Sequence, residues 1–276
     1  MVAPQIQLTT DPLSADSPWE QPARDAVEHA CYQIANAPLR LYPTPHIYVS
    51  HIFPPAFYAK LVEYFPTPNR FRAMQNSDHG NDEISDRRYF LSYFDGDNKH
   101  LPDDHASFWD ALLRALSSAR FEAVAAAKFG PYIDILRRTL LGSHQDILLI
   151  SDRSGYDISP HTDTPQKQFS LLFYCPENDS HPHIGTSLFR RKGSAPRQPK
   201  RTDSWFYHGD YSMYPFAEFE KVFTAPYLPN SLFGFVRTRY SYHGVEPTSA
   251  TIARQLLIYE NFSLSRSRKL RAQRQN

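Results

Sequence analysis

At Gly142 the spacing of the apolar residues changes from about 3.6, the helical period, to about 2, the strand period. Downstream of that point the runs at 146–151, 169–175, 186–189, 222–225, 231–236, 240–243 and 253–262 read as strands. Gly155, Pro160, the turn-forming run 176–179, Pro229-Asn230 and Pro247 separate them. Many short strands with few helices between them predict two stacked antiparallel sheets, a double-stranded β-helix of jelly-roll or cupin-like type. Composition agrees: 17 Tyr, 19 Phe and 23 Pro against 10 Gly suit a sheet protein with many turns better than a helical bundle.

Upstream, the pattern is mixed. Val27, Ala30, Cys31 and Ile34 recur at helical spacing over 23–37, and 47–53 reads as a strand. Pro54-Pro55 opens a second helix, 89–94 a short aromatic strand, and 103–130 a long helix with Phe108, Trp109, Leu112, Leu113 and Leu116 on one face. A short helix over 131–141 ends at Gly142. The predicted class is therefore mainly β with flanking helices. One domain spans 23–262, with a helical buttress over 23–142 and a jelly-roll core over 143–262. A polar arm (1–22) precedes it and a basic tail (263–276) follows.

A net charge of +1 gives no electrostatic case for nucleic acid or for a membrane surface. No run approaches the roughly 18 apolar residues of a membrane span, and the first residues lack the order of a signal peptide. Cys31 and Cys175 can form neither a disulfide framework nor a thiolate zinc site. These features predict a soluble, cytoplasmic protein.

Two imidazoles and one carboxylate can hold an iron while leaving positions open for other ligands. The minimal signature is His-x-Asp followed by a distant His, and roughly one such triplet is expected by chance in a chain of this make-up. There are three: His144-Gln145-Asp146, His161-Thr162-Asp163 and His208-Gly209-Asp210. His208 lies too close in sequence to His243, and His144 follows a helix-ending Gly-Ser, where it reads as a surface cap or loop pair. His161 and Asp163 precede a convincing core strand, and in a strand two residues apart project to one face. His243 ends an aromatic run. A lone histidine is more often a core or turn residue, but Arg254, 11 residues later, interrupts an otherwise apolar last strand. A buried guanidinium needs an anionic partner, and the carboxylate of a bound diacid would serve.

The segments Gly155-x-x-Ile158-x-Pro160-His161-x-Asp163, 169–174, 185–189, 229–235, His243-Gly244-Val245-Glu246-Pro247 and Arg254 occur in this order. Together, over 145–262, they resemble the 2-oxoglutarate/Fe(II) oxygenase superfamily, most closely its prolyl-hydroxylase-type branch. The resemblance implies Fe(II) held by His161, Asp163 and His243, with 2-oxoglutarate and O2 as co-substrates. It implies hydroxylation of an unactivated C–H bond with release of succinate and CO2. Arg254 would anchor the distal carboxylate of 2-oxoglutarate. Asp163 stands where related halogenases carry a small residue, which favours hydroxylation, desaturation or ring formation. Zinc would suit the same ligands without explaining Arg254. Two departures stand out: Asp152 occupies the position of a frequent Tyr contact to 2-oxoglutarate, and Ile184-Gly185 replaces the usual Gly-Gly.

The segment 190–220 begins basic (Arg190, Arg191, Lys192, Arg197, Lys200, Arg201) and turns aromatic. It reads either as a solvated loop or as a lid that favours an anionic small-molecule substrate. Lys167 and Gln168 could reach substrate or co-substrate or lie at the surface, and Arg237 and Arg239 are candidates for lining the pocket. The alternatives to small-molecule oxidation are hydroxylation of a protein or peptide side chain, and a jelly roll that binds without turnover.

Overall fold

The computed structural model describes residues 17–74, 87–133, 142–200, 212–247 and 251–263. The helix expected over 131–141, most of the N-terminal arm and nearly all of the C-terminal tail lie outside those residues. So do 201–211, the middle of the 190–220 segment.

The chain runs α1 (Glu20–Asn36), β1 (His46–Ser50), α2 (Pro55–Glu63), β2 (Arg72–Ala73), β3 (Arg88–Ser92), α3 (Asp103–Leu116) and α4 (Ala119–Phe129). Eight strands follow: β4 (Ser143–Asp152), β5 (Ile158–His161), β6 (Lys167–Tyr174), β7 (Ser187–Arg191), β8 (Phe219–Thr224), β9 (Ser231–Val236), β10 (His243–Val245) and β11 (Arg254–Ser263). They form a seven-stranded sheet in the order β1-β9-β6-β11-β4-β3-β2 and a four-stranded sheet in the order β5-β10-β7-β8. All pairs are antiparallel. From β4 to β11 the chain passes repeatedly between the sheets, which is the double-stranded β-helix expected from the period-2 patterning.

Alternation assigns the two faces of the large sheet. Ile147, Leu149, Leu171, Phe173, Leu257 and Tyr259 face outward and share one core with the helices. Within that core α1 buries Ala23, Val27, Ala30 and Ile34, a single helical stripe. The even-numbered partners Ile150, Leu172, Leu256 and Ile258 face inward, toward the small sheet. Successive ladder rungs therefore alternate between the two cores. The two cysteines are buried and unpaired, and among the described residues no helix is long and apolar enough to cross a membrane.

Three local expectations are corrected. The helix expected over 103–130 is two helices, because Ser118 leaves helical geometry and accepts a hydrogen bond from the Phe121 amide at 3.3 Å, capping α4. The strand expected over 240–243 begins only at His243. Thr238 and Ser241 close a turn before it, with the Thr238 amide donating to Ser241 Oγ at 2.9 Å. Strand β5, which carries His161, is four residues long and had no sequence signal of its own.

Candidate metal centre

His161 ends β5, Asp163 lies two residues beyond it, and His243 opens β10, its direct register partner. Gly244 permits this closeness: a Cβ there would lie 2.5 Å from the Ile158 carbonyl oxygen. One ligand atom from each of His161, Asp163 and His243 lies within 4.8 Å of the others, and all three residues are buried. No other group of three metal-ligating side chains converges in this way among the described residues.

The ring orientations follow from the backbone. His161 Nδ1 is 2.8 Å from the Ser159 carbonyl and His243 Nδ1 is 3.0 Å from the Ser241 carbonyl. Each carbonyl can only accept, so each Nδ1 carries the proton and each Nε2 keeps a lone pair for a metal. Burial, and then the neighbouring His243, push the His161 imidazole down to about 3. Burial likewise lowers His243. Both rings are therefore neutral at physiological pH, and the 3.8 Å approach of His243 Nε2 to Asp163 Oδ2 is a convergence of ligands, not an ion pair.

Burial works against ionisation of Asp163, yet Lys167, His243 and His161 overcome it and hold its carboxyl well below the usual range. Lys167 Nζ donates to Asp163 Oδ1 at 2.7 Å and to Glu260 Oε1 at 2.6 Å. Asp163 Oδ2 is buried with no hydrogen-bond partner. A buried carboxylate oxygen facing two neutral imidazoles is an unmet acceptor, and a divalent cation satisfies it. The residues fit a metal.

Lys167 reaches this site through an irregularity. Asn261 pairs with Phe169 and Phe262 with Lys167, so Gln168 is skipped in the ladder. The bulge turns Lys167 inward, where simple alternation would have placed Gln168. Gln168 is buried off the cavity and its carbonyl accepts from the Arg237 amide at 3.0 Å. Arg237 is buried and its Nε donates to the Asp163 carbonyl at 3.1 Å, so it braces the ligand from behind. Arg239 is half-buried, near the Tyr240 ring, and is not among the residues lining the cavity.

A cavity of about 680 Å³ extends from the three ligands across the inner face of the large sheet. Lys167 lines it; Arg254 does not. The anionic partner that sequence reasoning reserved for a bound diacid is supplied within the chain. Asp152, fully buried, accepts from Arg254 Nη1 at 2.7 Å and from Arg88 Nε and Nη2 at 2.6 and 2.8 Å. Arg88 does line the cavity, and Arg254 Nε is buried without a partner.

His144 and Asp146 also line the cavity, which corrects their reading as a surface pair. β4 already begins at Ser143, so both project inward, and the His144 ring stacks on Phe262 at 5.0 Å. His208 and Asp210 lie outside the described residues. At the start of the basic segment, Arg190 pairs with Glu220, Arg191 with Glu218 at 2.8 Å, and Lys192 donates to the Ala217 carbonyl at 2.8 Å. None of these three cations lines the cavity.

Fold and site together define a double-stranded β-helix with two histidines and one carboxylate converging between its sheets as a candidate metal centre. No family model matches the sequence, and no curated protein matches it. Among solved structures, the chain is similar to a Trichoplax adhaerens prolyl hydroxylase in complex with a hypoxia inducible factor oxygen degradation domain peptide. Identity is 12% and the TM-score 0.49, over 92% of this chain and 96% of that one. It is also similar to a Pseudomonas putida prolyl-4-hydroxylase (11% identity, TM-score 0.44, 87% and 99% coverage). A third is the non-haem α-ketoglutarate-dependent epimerase of nogalamycin biosynthesis (10% identity, TM-score 0.44, 86% and 83% coverage).

Proposed function

We propose that the protein is a non-haem iron(II) oxygenase that uses 2-oxoglutarate and O2 to hydroxylate a small molecule. The observation that carries this reading is the convergence of His161, Asp163 and His243 with Asp163 Oδ2 unmatched. Three protein ligands on one side leave room for a chelating co-substrate and O2, as in the facial-triad iron oxygenases. When bound, the iron with 2-oxoglutarate and O2 supplies oxidative decarboxylation to succinate and CO2 and the oxidation of a C–H bond.

The chain's own residues hold and position. Nδ1–H donation to backbone carbonyls fixes both imidazoles. Lys167 occupies Asp163 Oδ1 and leaves Oδ2 for the metal. Along the wall, the apolar rows of Leu172, Ile258 and Leu148 and of Tyr174, Leu256 and Ile150 lead from the metal end to the array of Arg88, Asp152 and Arg254. There two guanidiniums face one carboxylate, Arg88 from the wall and Arg254 from behind. The apolar rows keep water from the reacting centre. A cavity of about 680 Å³ is of the size that encloses small molecules, which supports a small-molecule substrate over a polypeptide.

Anaerobic titration with Fe(II) and 2-oxoglutarate tests the reading. The metal-to-ligand charge-transfer absorption is expected in the wild type and absent in His161→Ala. A wild-type protein that binds Fe(II) and 2-oxoglutarate without the band would overturn the assignment.

A further inference from the structure

Ser170, Glu260 and Asp146 are direct register partners on the adjacent strands β6, β11 and β4. They form one polar row across the inner wall, and all three line the cavity. The row starts at the metal centre, because Lys167 bridges Asp163 to Glu260, and Phe235, the next partner of Ser170, lies 4.5 Å ring to ring from His243.

Charges in this cavity are balanced with one exception. Each Arg or Lys on the wall has a carboxylate: Arg72 has Asp95 and Asp97, Arg88 has Asp152, and Lys167 has Asp163 and Glu260. Asp146 has no ion pair among the described residues; its carboxylate accepts only from the Ile147 backbone amide. Burial, and then Glu260 and Asp95, push its carboxyl up to about 6, against the opposing pull of Lys167, which is itself engaged by Asp163 and Glu260. Ser170 is the second observation. It is 3% exposed, faces the cavity, and its Oγ has no partner. A carboxylate without a counter-ion and a buried hydroxyl without a partner, on either side of Glu260, suit a group with several N–H donors and a positive charge. A second metal ion is the poorer match, since these residues do not complete a three-ligand cluster.

We infer that Asp146, with Ser170 and Glu260 beside it, recognises a cationic nitrogen, an alkylammonium or a guanidinium, on the molecule that is oxidised. This inference names the substrate class of the proposed oxygenase and rests on that reading. It replaces the anionic substrate suggested by the basic 190–201 segment, of which Arg190, Arg191 and Lys192 are engaged by Glu220, Glu218 and the Ala217 carbonyl away from the cavity.

The test is calorimetry on the full-length protein loaded anaerobically with Fe(II) and 2-oxoglutarate, with the charge-transfer band followed in parallel. One arm compares agmatine and 1,5-diaminopentane with carbamoylputrescine and 1,5-pentanediol. The other compares capped Gly-Gly-Lys-Gly-Gly and Gly-Gly-Arg-Gly-Gly with their norleucine and citrulline counterparts. In at least one arm the cation should bind about 10- to 100-fold more tightly than its neutral counterpart, as a charge-assisted hydrogen bond predicts. Asp146→Asn should remove that preference and Ser170→Ala should reduce it. Preference confined to the amines identifies a free small molecule, and preference confined to the peptides identifies a side chain in a polypeptide. Equal binding of neutral counterparts, a preference that survives Asp146→Asn, or no binding of any cation at millimolar concentrations would overturn the inference. If the band itself fails to form, the same calorimetry on Mn(II)-loaded protein still scores cation recognition, so the two failures are distinct.

Discussion

Replacing Arg254 by methionine separates two ways of neutralising a buried guanidinium. If its partner is Asp152, the substitution weakens the metal-free protein; if its partner is a bound diacid, the metal-free protein is indifferent. Asp152 is fully buried and accepts two hydrogen bonds from Arg88 and one from Arg254. Without Arg254 it keeps the Arg88 fork, and methionine replaces most of the lost stem. The loss is then one charge-assisted hydrogen bond, about 1.5–3 kcal/mol. Asp152→Asn is harsher, because two guanidiniums then face a neutral amide, and breaking a buried pair this way costs about 3–5 kcal/mol. For a chain of this size each kcal/mol shifts Tm by about 2–4 °C, so Arg254→Met should lower it by about 3–12 °C and Asp152→Asn by about 6–20 °C.

The assay is thermal unfolding of metal-free protein in buffer without any dicarboxylate. The double variant should be more stable than the sum of the single losses predicts, because the two residues share one interaction. An Arg254→Met protein as stable as the wild type, and impaired only in its stabilisation by added 2-oxoglutarate, would refute the argument. Asp152 would then not be the partner that makes burial of Arg254 tolerable.

Four further outcomes are expected. Lys167→Met frees Asp163 Oδ1 and should weaken Fe(II) binding about 10- to 100-fold, as loss of an outer-shell partner does, read by anaerobic titration. Acidification should destabilise the metal-free protein between about pH 6.5 and about pH 3: the unfolded His161 takes up a proton there that the folded ring refuses, so stability rises with pH across that window. Urea midpoints at several pH values should show that slope, and His161→Gln should flatten it. Asp146 is the opposite case, an acid held up at about 6 from 3.8, so the wild type loses stability as pH rises through that range. Asp146→Asn should therefore have the higher Tm at neutral pH, with the gap closing toward pH 4. Gly244→Ala would place a Cβ 2.5 Å from the Ile158 carbonyl; it should push β5 from β10 and weaken metal binding even where the fold survives.

The convergence of His161, Asp163 and His243 is legible because each residue's signal is local. His161 and Asp163 sit two apart, and strand-forming residues follow them. What the sequence left hidden depends on pairing across strands. Arg254 was correctly read as a charge in an apolar strand that needs an anion. Its partner is Asp152, 102 positions earlier and directly opposite in the β4–β11 ladder. Asp152 stands where the resemblance leads one to expect a tyrosine, and nothing along the chain joins the two residues. Lys167 was undecidable for a similar reason, since its direction depends on a bulge defined only by the partner strand. His144 and Asp146 were placed at the surface because β4 starts earlier than its apolar run.

The inner face of the large sheet explains why these residues belong together. Reading down β11, Glu260 lies in the row with Ser170 and Asp146, Ile258 with Leu172 and Leu148, Leu256 with Tyr174 and Ile150, and Arg254 with Asp152 and Arg88. Two apolar rows separate a polar one from a charged one. A one-residue slip between β4 and β11 would turn Tyr259 and Leu257 inward and Glu260 and Arg254 into the helical core, so hydrophobic burial alone enforces the register. That enforcement is what allows the polar row to persist. Nothing in the stability of the fold requires an unpaired Asp146 beside Glu260, and a residue that breaks the local rule while its neighbours fix its position is the expected mark of a functional site. The Gln168 bulge adds Lys167 to the same row at the point where it meets Asp163. One ladder thereby sets the charge partner of Asp163, one wall of the cavity and the proposed contact for the substrate.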